Sequence, residues 1–248
     1  MSAMSASAPI SEVFQESFDH LIRGPFTVSS RGLLNDEQAT RIVQELLARV
    51  ESPTPGVLGG RGQTRILEIP GLGRMFLKRY SHGGLLRKIT AGHFLCLGQL
   101  RSKVEFEMLE LVRSLGVNAP KPLAFVQKGS TIYSTWLLME ELQGARSIVE
   151  IGEDEGDALP RALDGLSEQI RILIKHNIFH VDLHPGNVLV DDNRAVYIVD
   201  FDKACRFKGS RQALRELYLR RWRRAVIKHQ LSPLLSEMMS LTLRSNDE

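Results

Sequence analysis

His180-Val181-Asp182-Leu183-His184-Pro185-Gly186-Asn187-Val188-Leu189-Val190, followed by Tyr197-Ile198-Val199-Asp200-Phe201-Asp202, is the stretch whose reading decides the fold. It sets an Asp, an Asn five residues later and a second Asp thirteen beyond that on loops bounded by apolar runs. The pattern H-x-D-x-x-x-x-N followed by D-F-x is that of a phosphoryl-transfer loop and its metal-binding partner. Each residue type has its own task. Asp182 can accept the proton of an acceptor hydroxyl and aim that oxygen at a γ-phosphorus. Asn187 and Asp200 offer hard oxygens to Mg²⁺, which keeps several waters and needs only one or two carboxylates besides phosphates. His180 belongs to the same catalytic group, as a brace of the loop. Val188-Leu189-Val190 and Ala195-Val196-Tyr197-Ile198-Val199 read as strands joined by the polar turn Asp191-Asp192-Asn193-Arg194. Such a hairpin holds Asn187 and Asp200 at the mouths of adjacent strands. An ordinary surface hairpin is the competing reading, and it leaves the coincidence of three functional residue types at these offsets without a cause.

The rest of the chain is long enough to build on that hairpin. Its 248 residues suffice for one large domain or two lobes, and a hydrophobic content of 43% with 25% charge is that of an ordinary globular protein. Apolar runs are only a few residues long, and Met1–Pro9 carries neither a basic start nor an apolar core, so neither a membrane span nor a secretory signal is expected. Cys96 and Cys205 are isolated, which indicates no disulfide framework and a reduced, cytosolic compartment. The net charge is +3, but ten Lys/Arg lie between Lys203 and His229 against Glu216 alone. The remainder is net acidic.

Periodicity predicts a helix over 10–24, carried by Val13, Phe14, Phe18, Leu21 and Ile22 and stopped by Gly24-Pro25. Asn35 reads as the N-cap of a second helix, 36–50. Ser52-Pro53-Thr54-Pro55-Gly56 is a break. Strands are expected at 65–69, 74–80, 124–127 and 133–142, with helices at 102–115, 159–176, 210–230 and 233–243. The order predicts an α+β, two-lobed protein-kinase-like fold: a helical extension at 1–55, a β-rich N-lobe at 56–142, and a small, mainly helical C-lobe at 143–248.

The nucleotide side follows from that order. Gly59-Gly60-Arg61-Gly62 precedes a strand, and glycines there let backbone amides approach phosphates. Lys78 ends the apolar run Met75-Phe76-Leu77 and is placed for the α/β-phosphates of ATP. Its partner is expected on the following helix among Glu105, Glu107 and Glu110, with Glu105 favoured because it rims the apolar face. Leu137-Leu138-Met139-Glu140-Glu141 leads to an interlobe hinge whose backbone, Glu140 included, would hold adenine.

With those residues in place, the chain resembles the bacterial lipopolysaccharide core kinases, and most closely the 3-deoxy-D-manno-octulosonic acid (Kdo) kinases. The resemblance covers roughly 59–228. It rests on Gly59–Thr64, on Leu77-Lys78-Arg79-Tyr80-Ser81-His82-Gly83-Gly84-Leu85, on Val104-Glu105-Phe106 and on Asn118-Ala119-Pro120-Lys121-Pro122-Leu123-Ala124. Asp200-Phe201-Asp202-Lys203 and the Leu/Arg-rich segment 214–224 complete it. It implies ATP and Mg²⁺ as cofactors and a Kdo–lipid A type glycolipid as acceptor, phosphorylated at the Kdo 4-OH. The implied location is peripheral, on the cytoplasmic face of the inner membrane. Asp-Leu-His-Pro-Gly-Asn replaces the family's Asn-rich loop and is equally at home in aminoglycoside and choline kinase relatives. Another small hydroxylated acceptor, or a nucleotide-binding pseudokinase, therefore stays open as an alternative. Asp202, where a Gly is usual, reads either as a lock on the metal loop or as a simple turn cap.

The basic segment has two readings as well. One is a solvated helix face with Leu214, Leu217, Val226 and Ile227 turned inward. The other is a dock for an anionic partner, with Arg220, Arg221, Arg223 and Arg224 against an anionic membrane surface, Tyr218 and Trp222 at the interface, and all of them outside the phosphoryl-transfer site. His82, Arg87 and Lys88 add positive charge near the acceptor. No nucleic-acid partner is expected, since no groove-reading motif accompanies the charge.

Overall fold

The computed structural model describes residues 17–48, 63–80, 94–95, 99–130, 132–152 and 157–244. The break at 52–56, Cys96 and the charged trio His82, Arg87 and Lys88 lie outside the described residues. Strands build the first half. Strands β1 (Asp19–Arg23), β2 (Phe26–Ser30), β3 (Gln63–Ile69), β4 (Gly73–Arg79), β6 (Pro122–Lys128) and β7 (Ile132–Glu140) form an antiparallel sheet in the order β1-β2-β6-β7-β4-β3, and β5 (Phe94–Leu95) pairs with β7. Side chains along β7 point alternately to opposite faces. Trp136 and Leu138 pack with Ala39, Ile42 and Val43 of helix α1 (Asp36–Leu47), while Leu137 and Met139 pack with Phe106, Leu109 and Val112 of helix α2 (Arg101–Ser114). The central strand is thus buried on both faces, and helices cover the sheet on each side.

Two local signals explain the first helices. Asn35 caps α1 by accepting the Gln38 N–H at 2.9 Å, and the Gln38 side chain accepts the Asn35 N–H at 3.0 Å, a reciprocal capping box. Gly116, at φ +93°, follows the end of α2 and takes the left-handed turn that stops it.

The helix expected over 10–24 is not formed in its described part. Residues 19–30 are the β1–β2 hairpin, with Arg23 paired to Phe26 across Gly24-Pro25. Gly24 has φ +59°, the sign a tight hairpin turn of the II′ kind needs at its first central position. The Gly-Pro pair is a hairpin turn rather than a helix stop. Nor are residues 17–48 a helical extension outside the main fold. β2 pairs with β6, from Phe26–Lys128 to Ser29–Phe125, and α1 covers one face of the sheet.

The second half is helical around the hairpin. A one-turn helix α3 (Ile148–Ile151) and helix α4 (Ala158–Lys175) precede it, and α5 (Arg211–Lys228) and α6 (Leu234–Arg244) follow it. Strands β10 (Val188–Val190) and β11 (Val196–Ile198) form the hairpin itself, and β8 (Arg146–Ser147) pairs with β10. Short strands β9 (Ile178–Phe179) and β12 (Cys205–Arg206) close the loop before and after it. This is the expected α+β, kinase-like arrangement of a strand-rich part and a helix-rich part. Tyr218 and Trp222 of α5 are each 1% exposed, so they are core residues and not interfacial aromatics. The Tyr218 hydroxyl accepts the His180 N–H and donates to the Ile178 carbonyl, and Trp222 Nε1 donates to the Leu235 carbonyl. Helix α5 therefore holds the candidate catalytic loop from behind.

Candidate active site

Lys78 stands near the end of β4 facing α2. Its ammonium lies 2.9 and 2.7 Å from the two Glu105 carboxylate oxygens and contacts Asp200 Oδ1. Of the three candidate carboxylates, the other two are engaged elsewhere: Glu107 lies 3.7 Å from Lys103, and Glu110 accepts from Arg31 at 2.9 Å. Glu105 is fully buried. Burial pushes its carboxyl up, against the pull of the Lys78 ammonium. Burial also works against charge on Lys78, but Glu105 and Asp200 outweigh it and raise the amine well above its usual range. A buried cation between two carboxylates is a bridge that keeps its charge.

Tyr80, two residues beyond Lys78 and so on the same side of the strand, donates its hydroxyl to Glu105 Oε2. Burial, then the Glu105 charge, raise that phenol well above its ordinary value, so it stays a donor. A second tie crosses from α2 to the metal loop. Arg101, the first residue of α2, pairs with Asp202, with Nε 3.2 Å from Oδ1. A cation is misplaced at a helix N-terminus by the helix dipole, and Asp202 offsets it. Asp202 is therefore more than a turn cap, because it fastens the D-F-D loop to the helix that carries Glu105. The unusual backbone angle falls on Asp200 instead, at φ +65°.

The catalytic loop is built from the hairpin outward. Asn187 closes a one-turn 3₁₀ helix, Pro185–Asn187, and its Nδ2 donates to the Asp182 carbonyl at 3.0 Å. That leaves the carboxamide oxygen as a donor atom for a cation. The Val199 N–H donates to the Asn187 carbonyl, which locks the two strand mouths together. His180 is 1% exposed, its Nε2 lies 3.0 Å from the Val199 carbonyl, and its ring packs edge-on to Phe201 at 4.6 Å. Burial lowers its pKa, and a neutral Nε2–H tautomer suits that bond. It braces the loop. Asp182 has 29% of its side chain exposed, and each of its oxygens meets a cation: Arg221 at Oδ1, and Lys203 at 3.2 Å from Oδ2. Burial pushes the Asp182 carboxyl up, but Lys203 and Arg221 outweigh it and hold the group below its usual range.

Arg221 was expected outside the site and lies in it. The sequence gives no local signal for this, since four arginines share five positions and only the packing of α5 selects one. Lys203, beside the D-F-D motif, and Tyr80, at strand period from Lys78, were both readable and were missed. At Glu140, one of the backbone groups expected at the hinge is already engaged. Its N–H donates to the Lys121 carbonyl, and its carboxylate takes the Lys121 N–H at 2.7 Å and Arg113 at 3.3 Å. Those groups bind the hinge to the end of α2. Gly59, Gly60, Arg61 and Gly62 lie outside the described residues. Asp200 and the Asn187 carboxamide fit a magnesium ion by donor type, as hard oxygens from two loops locked together. The fixed ammonium of Lys78 fits phosphate oxygens.

The chain is similar to known proteins. The profile of the lipopolysaccharide kinase (Kdo/WaaP) family matches residues 54–237. A Vibrio cholerae protein named 3-deoxy-D-manno-octulosonic acid kinase is 35% identical over 153 residues, 60% of this chain and 63% of that protein. Proteins of the same name from Vibrio parahaemolyticus and Stenotrophomonas maltophilia are 32% and 31% identical, over 71% and 68% of this chain and 75% and 68% of theirs. The chain thus spans somewhat under two-thirds of the first relative's length and more than two-thirds of the other two.

Proposed function

We propose, from the premise that this chain belongs to the lipopolysaccharide kinase (Kdo/WaaP) family, that it transfers the γ-phosphoryl group of ATP to a sugar hydroxyl of the lipopolysaccharide inner core, the 4-OH of a Kdo residue on a lipid A precursor. The observation that carries this reading is the single bridge Lys78–Glu105–Asp200, closed beside a loop that presents Asp182 and Asn187. In this scheme Lys78 binds and orients the α/β-phosphates, held in place by Glu105. Asp182 aligns the acceptor hydroxyl and takes its proton as the oxygen bonds to the γ-phosphorus and the bond to the departing ADP breaks. Asp200 and Asn187 would hold Mg²⁺, which when bound neutralises phosphate charge. His180 and Tyr218 keep the loop in register.

The names of the relatives support Kdo as the acceptor. The exposed cations of α5, Arg220, Arg223, Arg224 and Lys228, beside the exposed Ile227, support a peripheral seat on the anionic cytoplasmic face of the inner membrane. No helix among the described residues is long and apolar enough to cross a membrane.

The test is phosphate transfer from ATP to a Kdo–lipid A acceptor, with the product located by mass spectrometry. The expected product gains one phosphate on Kdo. Asp182→Ala should keep ATP affinity and lose roughly 10²–10⁴ in kcat, the usual worth of a positioned base. Phosphate on another sugar, or full activity of Asp182→Ala, would overturn the assignment.

A further inference from the structure

Asp182 does not stand alone in the cleft. Arg221 is the member of the α5 arginine cluster turned toward it: Arg220, Arg223 and Arg224 are exposed, while 34% of the Arg221 side chain is exposed and its Nη2 reaches Asp182 Oδ1. Its Nε is buried without a hydrogen-bond partner. A guanidinium carries five N–H donors in a planar fork suited to two oxygens of one carboxylate. The bond to Asp182 leaves most of that fork unused. Lys203, 60% exposed in its side chain, meets the other Asp182 oxygen at 3.2 Å and has two further protons to donate. His184 and His229 stand beside them with ring centroids 6.2 Å apart. The mouth around the catalytic carboxylate is therefore cationic, with unspent donors immediately next to the point where an acceptor hydroxyl must arrive. A buried, unpartnered donor in a native site calls for a partner.

We infer that Arg221, assisted by Lys203, is the specificity-determining seat for a carboxylate carried on the same acceptor sugar as the reacting hydroxyl. This rests on the reading of Asp182 as the base that receives that hydroxyl. In the acceptor's absence Arg221 spends its charge on Asp182. An acidic acceptor offers the fork a second carboxylate, and the hydroxyl on the same ring is delivered to Asp182. A neutral sugar makes no such exchange. The seat selects for a carboxylate on the ring that carries the alcohol and not for a particular ring.

The experiment compares a soluble methyl glycoside of Kdo with its carboxamide, in which the same hydroxyls are present and the carboxylate is neutral. Steady-state kinetics with ATP and calorimetric binding are measured on the full chain and on Arg221→Ala and Arg221→Lys. The wild type should favour the acid by roughly 10- to 100-fold in kcat/KM, the worth of a charge-assisted hydrogen-bonded pair. Arg221→Ala should reduce that preference to under about threefold by raising KM for the acid, with KM for ATP unmoved. Arg221→Lys should recover part of it, since it keeps the charge and loses the fork. Equal use of acid and carboxamide by the wild type overturns the seat even if neither variant folds. An Arg221→Ala variant impaired equally on both sugars, or with a raised KM for ATP, puts Arg221 at the nucleotide and also overturns it. Should the wild type phosphorylate neither sugar, binding separates the two readings. Arg221-dependent preference for the acid without turnover sinks the phosphoryl-transfer reading and leaves the seat standing; no preference sinks the seat.

Discussion

The identity of the partner ranks the glutamates of α2, for Glu105 alone of the three meets the Lys78 ammonium, at 2.7 Å. Glu105 is fully buried with Lys78 and Tyr80 as partners, while Glu107 and Glu110 each answer a different cation. Glu105→Gln should therefore cripple turnover far more than Glu107→Gln or Glu110→Gln, read as kcat/KM for ATP. Equal sensitivity of the three would mean that the bridge does no positioning. A second residue-scale outcome concerns pH. Burial holds folded His180 below the ordinary histidine value of about 6.5. The unfolded chain therefore binds the extra proton first as pH falls. The stabilisation is complete above about pH 6.5 and is lost as pH drops toward the depressed folded value. His184, also lowered by burial, adds in the same direction. The melting temperature should fall between pH 7.5 and pH 5.5, and His180→Gln, which keeps a donor for Val199 and cannot titrate, should show a smaller drop. Parallel pH curves for the two proteins would refute the assignment.

At the scale of elements, helix α2 is clamped from two sides. In front, Lys78 near the end of β4 and Tyr80 just beyond it hold Glu105, and Arg101 at its first turn ties it to Asp202 of the D-F-D loop. Behind, the rings of Phe18 and Phe125 meet Phe106 at 5.3 and 5.8 Å, and Phe18 meets Phe125 at 5.0 Å. A helix with no side-chain cap at its start is held by tertiary contacts instead. Tyr80→Phe removes a donor from a buried carboxylate, which should cost about 1–3 kcal/mol of stability. Its distinguishing signature is a raised KM for ATP, because Glu105 is then free to draw Lys78 away from the phosphates. Lower stability with an unchanged KM would confine Tyr80 to packing.

The whole molecule depends on segments distant in sequence. The β1–β2 hairpin extends the sheet through β6, and Phe18 just ahead of it reaches across to α2. Phe18→Ala should lose roughly 2–3 kcal/mol, less than the 3–5 of a fully buried phenylalanine, and lower ATP affinity along with the melting temperature. A stability loss with unaltered affinity would uncouple the hairpin from the site. In α5, Arg220, Arg223 and Arg224 face outward while Arg221 faces in. Reversing those three to Glu should release the protein from anionic vesicles and raise KM for a membrane-embedded acceptor more than for a soluble one. Wild-type vesicle binding should weaken steeply with salt, as the Debye length falls from about 10 Å at 0.1 M to about 3 Å at 1 M. Salt-independent binding would exclude an electrostatic dock.

What the amino-acid order determined by itself was everything carried by short-range period and spacing. The hairpin around Asp191–Arg194, the cap at Asn35, the helices α2, α4, α5 and α6 and the offsets among Asp182, Asn187 and Asp200 are all local, because each is set within a few turns of backbone. Lys78 and Tyr80 were local in the same sense, two residues apart on one strand face. Tertiary structure decided the rest. The stripe at 10–24 suits a helix until β6 supplies an edge, and in its described part the backbone then pairs across the sheet instead. Four arginines look alike along α5 until Tyr218 and Trp222 are buried, which fixes the rotation of the helix and leaves Arg221 facing Asp182. Side-chain period says which residues share a face. Which face meets Asp182 is settled only when the core closes on the other one.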